Sequence, residues 1–362
     1  MTGEVNLSTE IHIDGRRISK DDPVYFIAEI GSNFDQDMDR AKDLIYKAKE
    51  AGADAAKFQH YNAHSLVSDY GFSNLGVKNS HQSTWKKSVY ETYKAASLNQ
   101  NWTEVLRDTC KIAGLSFFTS PYSLSLVDFV DDFVPAYKIG SGDITWTEII
   151  KHIASKGKPI LLATGASNEN DVKRAVRAVT KFNSQLILLQ CNTNYTIDRK
   201  NFSHLHLNVI PRFQHLFSGI ITGLSDHTPG DTSVLGAVAL GAKVIEKHFT
   251  DSTDRLGPDH SFSMTPETWR EMVDKTRDLE AALGTDVKKV EKNEEETKVL
   301  QRRSLCASTD LKRGALISKD SLNVLRPCPA DSIEPYELEN IIGRFLARDV
   351  SAGQPICWED LI

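Results

Sequence analysis

The chain has 362 residues, 40% hydrophobic and 25% charged, with a formal charge of −6 at pH 7 and five scattered cysteines. That is a globular composition, long enough to bury a large core without disulfides or structural metal. It excludes a basic nucleic-acid-binding face. No apolar run reaches the ~18 residues of a membrane span, and the polar N-terminus does not read as a signal peptide, so a cytoplasmic protein with reduced thiols is expected.

In chain order, "IHIDGRRI" (11–18) carries Asp14-Gly15 where a hairpin turn belongs. "VYFIAEIG" (24–31) reads as a strand, and "RAKDLIYKAKEAG" (40–52) as a helix with apolar spacing of three and four and a terminal glycine. "AAKFQ" (55–59) is a second strand. A long loop follows over 61–100, with a polar helix-like stretch near 85–93. Strands are then predicted over 115–121, 136–143, 159–165, 186–192, 220–227 and 243–249. Helices are predicted over 101–113, 124–132, 146–155, 169–182, 201–215, 232–240 and 266–283.

Eight apolar strands alternating with helices over ~260 residues predict an α/β protein of the (β/α)8 TIM-barrel class, with strands buried on both faces. A doubly wound open sheet is the rival. The hairpin is expected to cover the barrel bottom. The predicted domains are 1–283 (barrel and hairpin), a charged solvated linker over 284–303, and a small, mostly β domain over 304–362.

Active-site groups of such barrels lie at the C-terminal ends of the strands. There the sequence places Glu29, Lys57 and Gln59, Thr119 and Ser120, Lys138, Ser141 and Asp143, Ser225 to His227, and Glu246 to His248. A lone Lys or His in a strand is more often a packing feature. Six such strand ends without function would cost several kcal/mol in desolvation. Period-two alternation separates Glu246 and His248 from Lys247. His227 and His248 end adjacent strands and can converge on a divalent metal with open positions, Mn2+ first, Mg2+ or Co2+ as alternatives; hydrogen-bonded core histidines are the bland alternative. Lys57 and Lys138, with Thr119, Ser141 and Ser225, suit a phosphate or carboxylate. The alternative is pairing of the lysines with Glu29 and Asp143.

The stretches "FIAEIGSN", "GADAAKFQ", "YKIGSGD", "GLSDHT" and "VIEKHFTDSTDRLGPDHSFSM" resemble the sialic acid (N-acetylneuraminate) synthase family. "RRSLCAS", "VLRP" and "GRFLARDV" resemble its C-terminal antifreeze-like SAF domain. The resemblance implies a TIM barrel plus SAF domain in a domain-swapped homodimer. It implies condensation of phosphoenolpyruvate with an N-acylated hexosamine, giving a nine-carbon 2-keto-3-deoxy acid. It also implies metal on His227 and His248, and phosphoenolpyruvate on Lys57, Lys138, Thr119, Ser141 and Ser225. Gln59, Glu29, Asp143 and Asp259 would meet the sugar or reacting centre. Tyr195 is kept in the strand-6 motif, and the partner's copy of Arg326 would reach the sugar's N-acyl group. Glu29 or Asp143 is the expected proton acceptor.

The chain departs from that pattern in "ATGA", where Ala163 replaces a phosphate-binding hydroxyl, in "CNTNYT" (191–196), in "RPC" (326–328) and in Asp143, where bacterial members commonly have Glu. These changes leave the sugar open. Legionaminic- or pseudaminic-type synthesis from a 2,4-diacetamido-trideoxyhexose is an alternative; octulosonate-type synthesis lacks a cluster for a sugar phosphate. A non-catalytic carbohydrate- or ice-binding protein would have no need of the lysines and histidines at the strand ends.

Overall fold

A computed structural model describes residues 6–75, 85 and 87–362. The chain divides into two compact units, 1–284 and 285–362.

The first unit is a barrel of eight parallel strands: Tyr25–Glu29, Ala55–His60, Ser116–Pro121, Tyr137–Ile139, Ile160–Ala163, Leu186–Cys191, Ile221–Asp226 and Val244–His248. Hydrogen-bonded neighbours run 3-2-1-8-7-6-5-4, and strands 3 and 4 pack together across the remaining seam. The first strand pairs with the eighth in register, Glu29 opposite His248. This closure excludes the open doubly wound sheet.

Helix starts follow local chemistry. Asp37 caps Met38–Glu50 by accepting from the Asp39 and Arg40 amides. Asn168 and Asp171 form a capping box on Glu169–Thr180. Thr265 caps Pro266–Leu283, with proline at the first helical position where its missing N–H costs nothing. The fourth strand is shorter than its sequence suggests. It ends at Ile139, and residues Ser141–Asp143 turn into a single 3-10 helix. In the long segment after strand 2, helices Ala63–Leu66, Asp69–Asn74 and Val89–Ala96 are present. Part of the helix expected near 85–93 lies outside the described residues.

The core has two layers. Outward-facing strand residues such as Phe26, Phe58, Leu188 and Ile245 pack under the helices. Inward-facing residues, among them Tyr25, Ile27, Phe118, Leu161, Ile187 and Val244, fill the lower barrel. The hairpin of Glu10–Ile13 and Arg16–Ser19 adds Ile11, Ile13 and Ile18 to that interior cluster, sealing the bottom. Each buried isoleucine contributes roughly 1.5–3 kcal/mol. The charged inward-facing side chains stand above this packing, at the upper ends of the strands.

In the second unit Ser304–Ala307 pairs antiparallel with Leu322–Leu325, and Leu305, Ala307, Ile317, Ile333, Ile341, Leu346, Val350 and Ile356 form its core. The charged segment preceding it is not featureless. Glu295–Gln301 is an exposed helix, consistent with a run of good helix formers lacking an apolar stripe.

Candidate active site

Alternation along the strands selects the side chains that reach the barrel mouth. Above inward-facing Tyr25 and Ile27 stands Glu29; above Ala55 stand Lys57 and Gln59; above Val244 stand Glu246 and His248. These groups line one cavity of about 440 Å³, the size of a small-molecule site. Of the residues expected from sequence, Glu29, Lys57, Gln59, Lys138, Ser141, Asp143, Tyr195, Ser225, His227, His248 and Asp259 all line it.

At its floor Glu246 lies between the two lysines. Its Oε1 is 3.3 Å from Lys138 Nζ and 3.9 Å from Lys57 Nζ, and accepts a hydrogen bond from Ser225 Oγ at 3.2 Å. Lys57 also pairs with Glu29 and donates to Ser120 Oγ at 3.3 Å. Gln59 Nε2 donates to Glu29 Oε1 at 2.7 Å. The four charged side chains are 1–7% exposed. Two ammonium groups balance two carboxylates. Unpaired, each ion would cost several kcal/mol to bury.

The electrostatics follow from that packing. Burial pushes the Glu29 carboxyl up to about 7; Lys57 pulls it down and Glu246 adds to the rise. Burial opposes the charge on Lys57, but Glu246 and Glu29 outweigh it, so its pKa is raised. Burial likewise works against ionised Glu246, yet Lys138 and Lys57 hold its carboxyl below the ordinary value. Asp143 is pushed up to about 6 by burial, with Lys138 opposing.

Beside the cation pair stand the imidazoles of His227 and His248, ring centroids 5.4 Å apart. Two rings ligating one divalent ion through one nitrogen each, at about 2.1 Å, place their centroids roughly this far apart. The Asn192 carbonyl lies 3.0 Å from His227 Nδ1. That bond puts the ring proton on Nδ1 and leaves Nε2 as a lone-pair donor. His248 Nδ1 is buried with no hydrogen-bond partner among the described residues. Burial, then the neighbouring His227 and Lys57, hold the His248 pKa well below the ordinary value, keeping the ring neutral. These features fit a divalent ion. Among the described residues no third His, Cys, Asp or Glu completes a closed cage, so the donor set is an open one.

Tyr195 and Phe262 wall the imidazoles, Tyr195 at 4.4 Å from His227 and Phe262 at 4.9 Å from His248 between ring centroids. Asp259 enters from the loop after the eighth strand. Its Oδ2 accepts from Ser32 N at 3.2 Å and Ser32 Oγ at 2.8 Å. Gly31, at φ +55°, makes this approach feasible: a Cβ there would sit 2.7 Å from Asp259 Oδ2. The same loop is anchored by fully buried His260, which bonds Thr250 Oγ1 at 2.7 Å and Asp35 Oδ1 at 2.9 Å.

One expected residue lies elsewhere. Thr119 is on the outer face of strand 3. Its Oγ1 bonds His60 Nδ1 at 2.7 Å and donates to the Phe58 carbonyl at 3.2 Å, and it does not line the cavity. The next residue, Ser120, faces inward instead and reaches Lys57. "FFTSP" has aromatics on both faces, which hides the parity. Arg326 is an exposed residue of the second unit, directly after strand Leu322–Leu325. Glu246 is the strand-end group to which the sequence assigned no role. Its signal was present: it stands two positions before His248, on the same face.

A closed (β/α)8 barrel with a charged small-molecule cavity at the C-terminal ends of its strands, followed by a small β unit, defines the class. The chain belongs to the NeuB family, matched over residues 44–288, with an SAF domain matched over 302–362. It is 36% identical to the N,N'-diacetyllegionaminic acid synthase of Legionella pneumophila, over 93% of this chain and 94% of that one. It is 30% identical to human N-acetylneuraminate-9-phosphate synthase, over 91% and 90%. The crystal structure of the spore coat polysaccharide biosynthesis protein spsE from Bacillus subtilis matches with a TM-score of 0.65 at 29% identity, covering 98% of this chain and 99% of that one. Among the described residues no helix is long and apolar enough to cross a membrane.

Proposed function

We propose that the chain is a nonulosonic acid synthase, a transferase that condenses phosphoenolpyruvate with an open-chain N-acylated hexosamine and water, releasing phosphate by C–O cleavage. The observation that carries this reading is the buried Lys57–Glu246–Lys138 bridge beside the His227–His248 pair in one cavity. Lys57 and Lys138 bind the phosphate and carboxylate of phosphoenolpyruvate, helped by the hydroxyls of Ser120, Ser141 and Ser225. Ala163 leaves a bare methyl on the fifth strand, so these three hydroxyls carry that contact.

A divalent ion held by His227 and His248, Mn2+ in first place, supplies Lewis acidity toward the aldehyde oxygen when bound. The lysines hold phosphoenolpyruvate so that its C3 faces the aldehyde carbon, which converts encounter into orientation. As the C3–C1 bond forms, C2 becomes electron-poor and water adds there. Glu29 or Asp143 accepts the proton of that water; both have carboxyl pKa values shifted toward neutrality, where a general base works best. Collapse of the tetrahedral carbon breaks the C2–O bond and expels phosphate. Gln59 holds the Glu29 carboxylate, and Asp259 and Tyr195 flank the sugar side.

The greater identity to the legionaminic acid synthase supports a 2,4-diacetamido-trideoxyhexose as a second sugar candidate beside an N-acetylmannosamine-like one. A swapped homodimer, with the partner's SAF domain bringing its arginine at the position of Arg326 to the sugar, belongs to the same proposal. The test is phosphate release from phosphoenolpyruvate with a panel of N-acylated hexosamines and added Mn2+, with product mass as readout. Phosphate release and a nine-carbon keto acid with one of these sugars are expected. No sugar-dependent release with any of them would overturn the proposal.

A further inference from the structure

Directly behind the two imidazoles, on the outer face of the same strands, lies a second buried ion pair. Asp226 and Lys247 are register partners on strands 7 and 8. Each immediately precedes a cavity histidine, Asp226 before His227 and Lys247 before His248. Because alternation sends successive side chains to opposite faces, the ion pair sits under the helices while the imidazoles face the cavity.

The pair is fully enclosed, with side chains 0% and 2% exposed, and Lys247 Nζ is 2.5 Å from Asp226 Oδ2. Most of its remaining bonds converge on one residue. Asp226 accepts from Thr228 N at 3.0 Å and from Thr228 Oγ1 at 2.8 Å, and Lys247 donates to the Thr228 carbonyl at 2.6 Å. Ser233 Oγ adds a bond to Asp226 Oδ2 at 2.5 Å. The residues before and after His227 are thus tied to each other and to the residue before His248. A parallel ladder fixes register but leaves the strand ends free to splay where it stops. Here it stops at the Asp226–Lys247 step.

We propose that Asp226 and Lys247 are positioning residues that set the separation and angle of the His227 and His248 rings. This rests on the metal reading given above. The packing argument is general: a buried pair that touches neither ligand nor cavity carries a desolvation cost, and a well-packed neutral pair of similar volume holds a fold equally well. What a neutral pair lacks is the directional clamp on Thr228.

The experiment uses the full-length protein carrying Asp226→Asn with Lys247→Met, so that no orphan charge is left. Near-ultraviolet circular dichroism checks folding. Mn2+ binding is followed by the free-ion paramagnetic resonance signal, and the metal-free protein is examined through the Cε1–H resonances of His227 and His248. The folded double variant is expected to bind Mn2+ at least ~10-fold more weakly and to shift both ring resonances, as changes around metal ligands typically do. Thr228→Val and Ser233→Ala, which keep both charges, are expected to give the same shifts in smaller degree and serve in its place if the double variant does not fold. Unchanged Mn2+ affinity together with unchanged ring resonances in a folded variant would overturn the proposal. If the wild type binds no Mn2+, the metal reading fails while the ring resonances still decide whether the pair positions the imidazoles.

Discussion

Glu246 and Lys138 meet across the barrel floor, Oε1 to Nζ 3.3 Å, and the same carboxylate oxygen faces Lys57 at 3.9 Å. One acid therefore serves two bases two strands apart in the wall. An arriving dianion meets two ammonium groups already in place, with only the partner carboxylates to rearrange around. Lys138→Met should raise the KM for phosphoenolpyruvate by ~10–100-fold, the worth of a charge-assisted bond of about 1.5–3 kcal/mol. Steady-state kinetics check this. A KM within two-fold of wild type would remove Lys138 from the anion site.

For the imidazole pair, His227→Ala is expected to lose turnover while keeping the fold, because the ring faces the cavity and not the core. A chelator should stop the wild-type reaction and Mn2+ restore it. A folded variant with full metal-dependent turnover would refute the assignment.

Asp143 carries a pH prediction. Its carboxyl is raised to about 6 by burial, so it is neutral below that pH and unable to accept a proton. If it is the base, kcat falls as pH drops through about 6, and Asp143→Asn abolishes that acid limb. The stability sign is fixed by the same shift. A raised pKa contributes stability that is complete below the unfolded value near 3.8 and lost as pH rises through about 6. Asp143→Asn should therefore raise the melting midpoint at pH 8 and leave it little changed at pH 3.5. Equal midpoint changes at both pH values would contradict the shift.

Thr119 and Ser120 separate the two faces of strand 3. Thr119→Val leaves His60 Nδ1 without its partner and should cost about 1–3 kcal/mol of stability with no more than a two-fold change in phosphoenolpyruvate KM. Ser120→Ala should do the reverse. Thermal denaturation and kinetics on the two variants give the answer, and an exchanged pattern would restore Thr119 to the cavity.

His60 itself is 1% exposed and bonds Thr119 and Thr103 through its two nitrogens, at 2.7 and 2.8 Å. Burial lowers its pKa from 6.5 to about 4. The folded state resists protonation, so stability is complete above pH 6.5 and declines as pH falls toward 4, by up to ~3 kcal/mol. Denaturant titrations of wild type and His60→Gln between pH 7.5 and 4.5 should show the variant with a flatter dependence.

Much of this protein was legible in its sequence because its signals are local. Apolar runs of strand length alternating with helical spacing gave the barrel, since each element announces its period within a few residues. The polar punctuation at the strand ends gave nine of the eleven expected cavity residues, because alternation and the strand-end rule need only one strand at a time; Tyr195 and Asp259 lie in loops and came with the family resemblance. Other features needed the closed sheet. Only closure brings the first strand beside the eighth, so that Glu29 lies opposite His248 and Glu246 lies within reach of both Lys57 and Lys138. Parity at "FFTSP" was settled by which aromatic the lower barrel had room for: Phe118 went inward, and Thr119 had to face His60. The inward face of each strand, and the charge that shares a cavity with another, are decided by packing between residues distant in the chain, which no local pattern encodes.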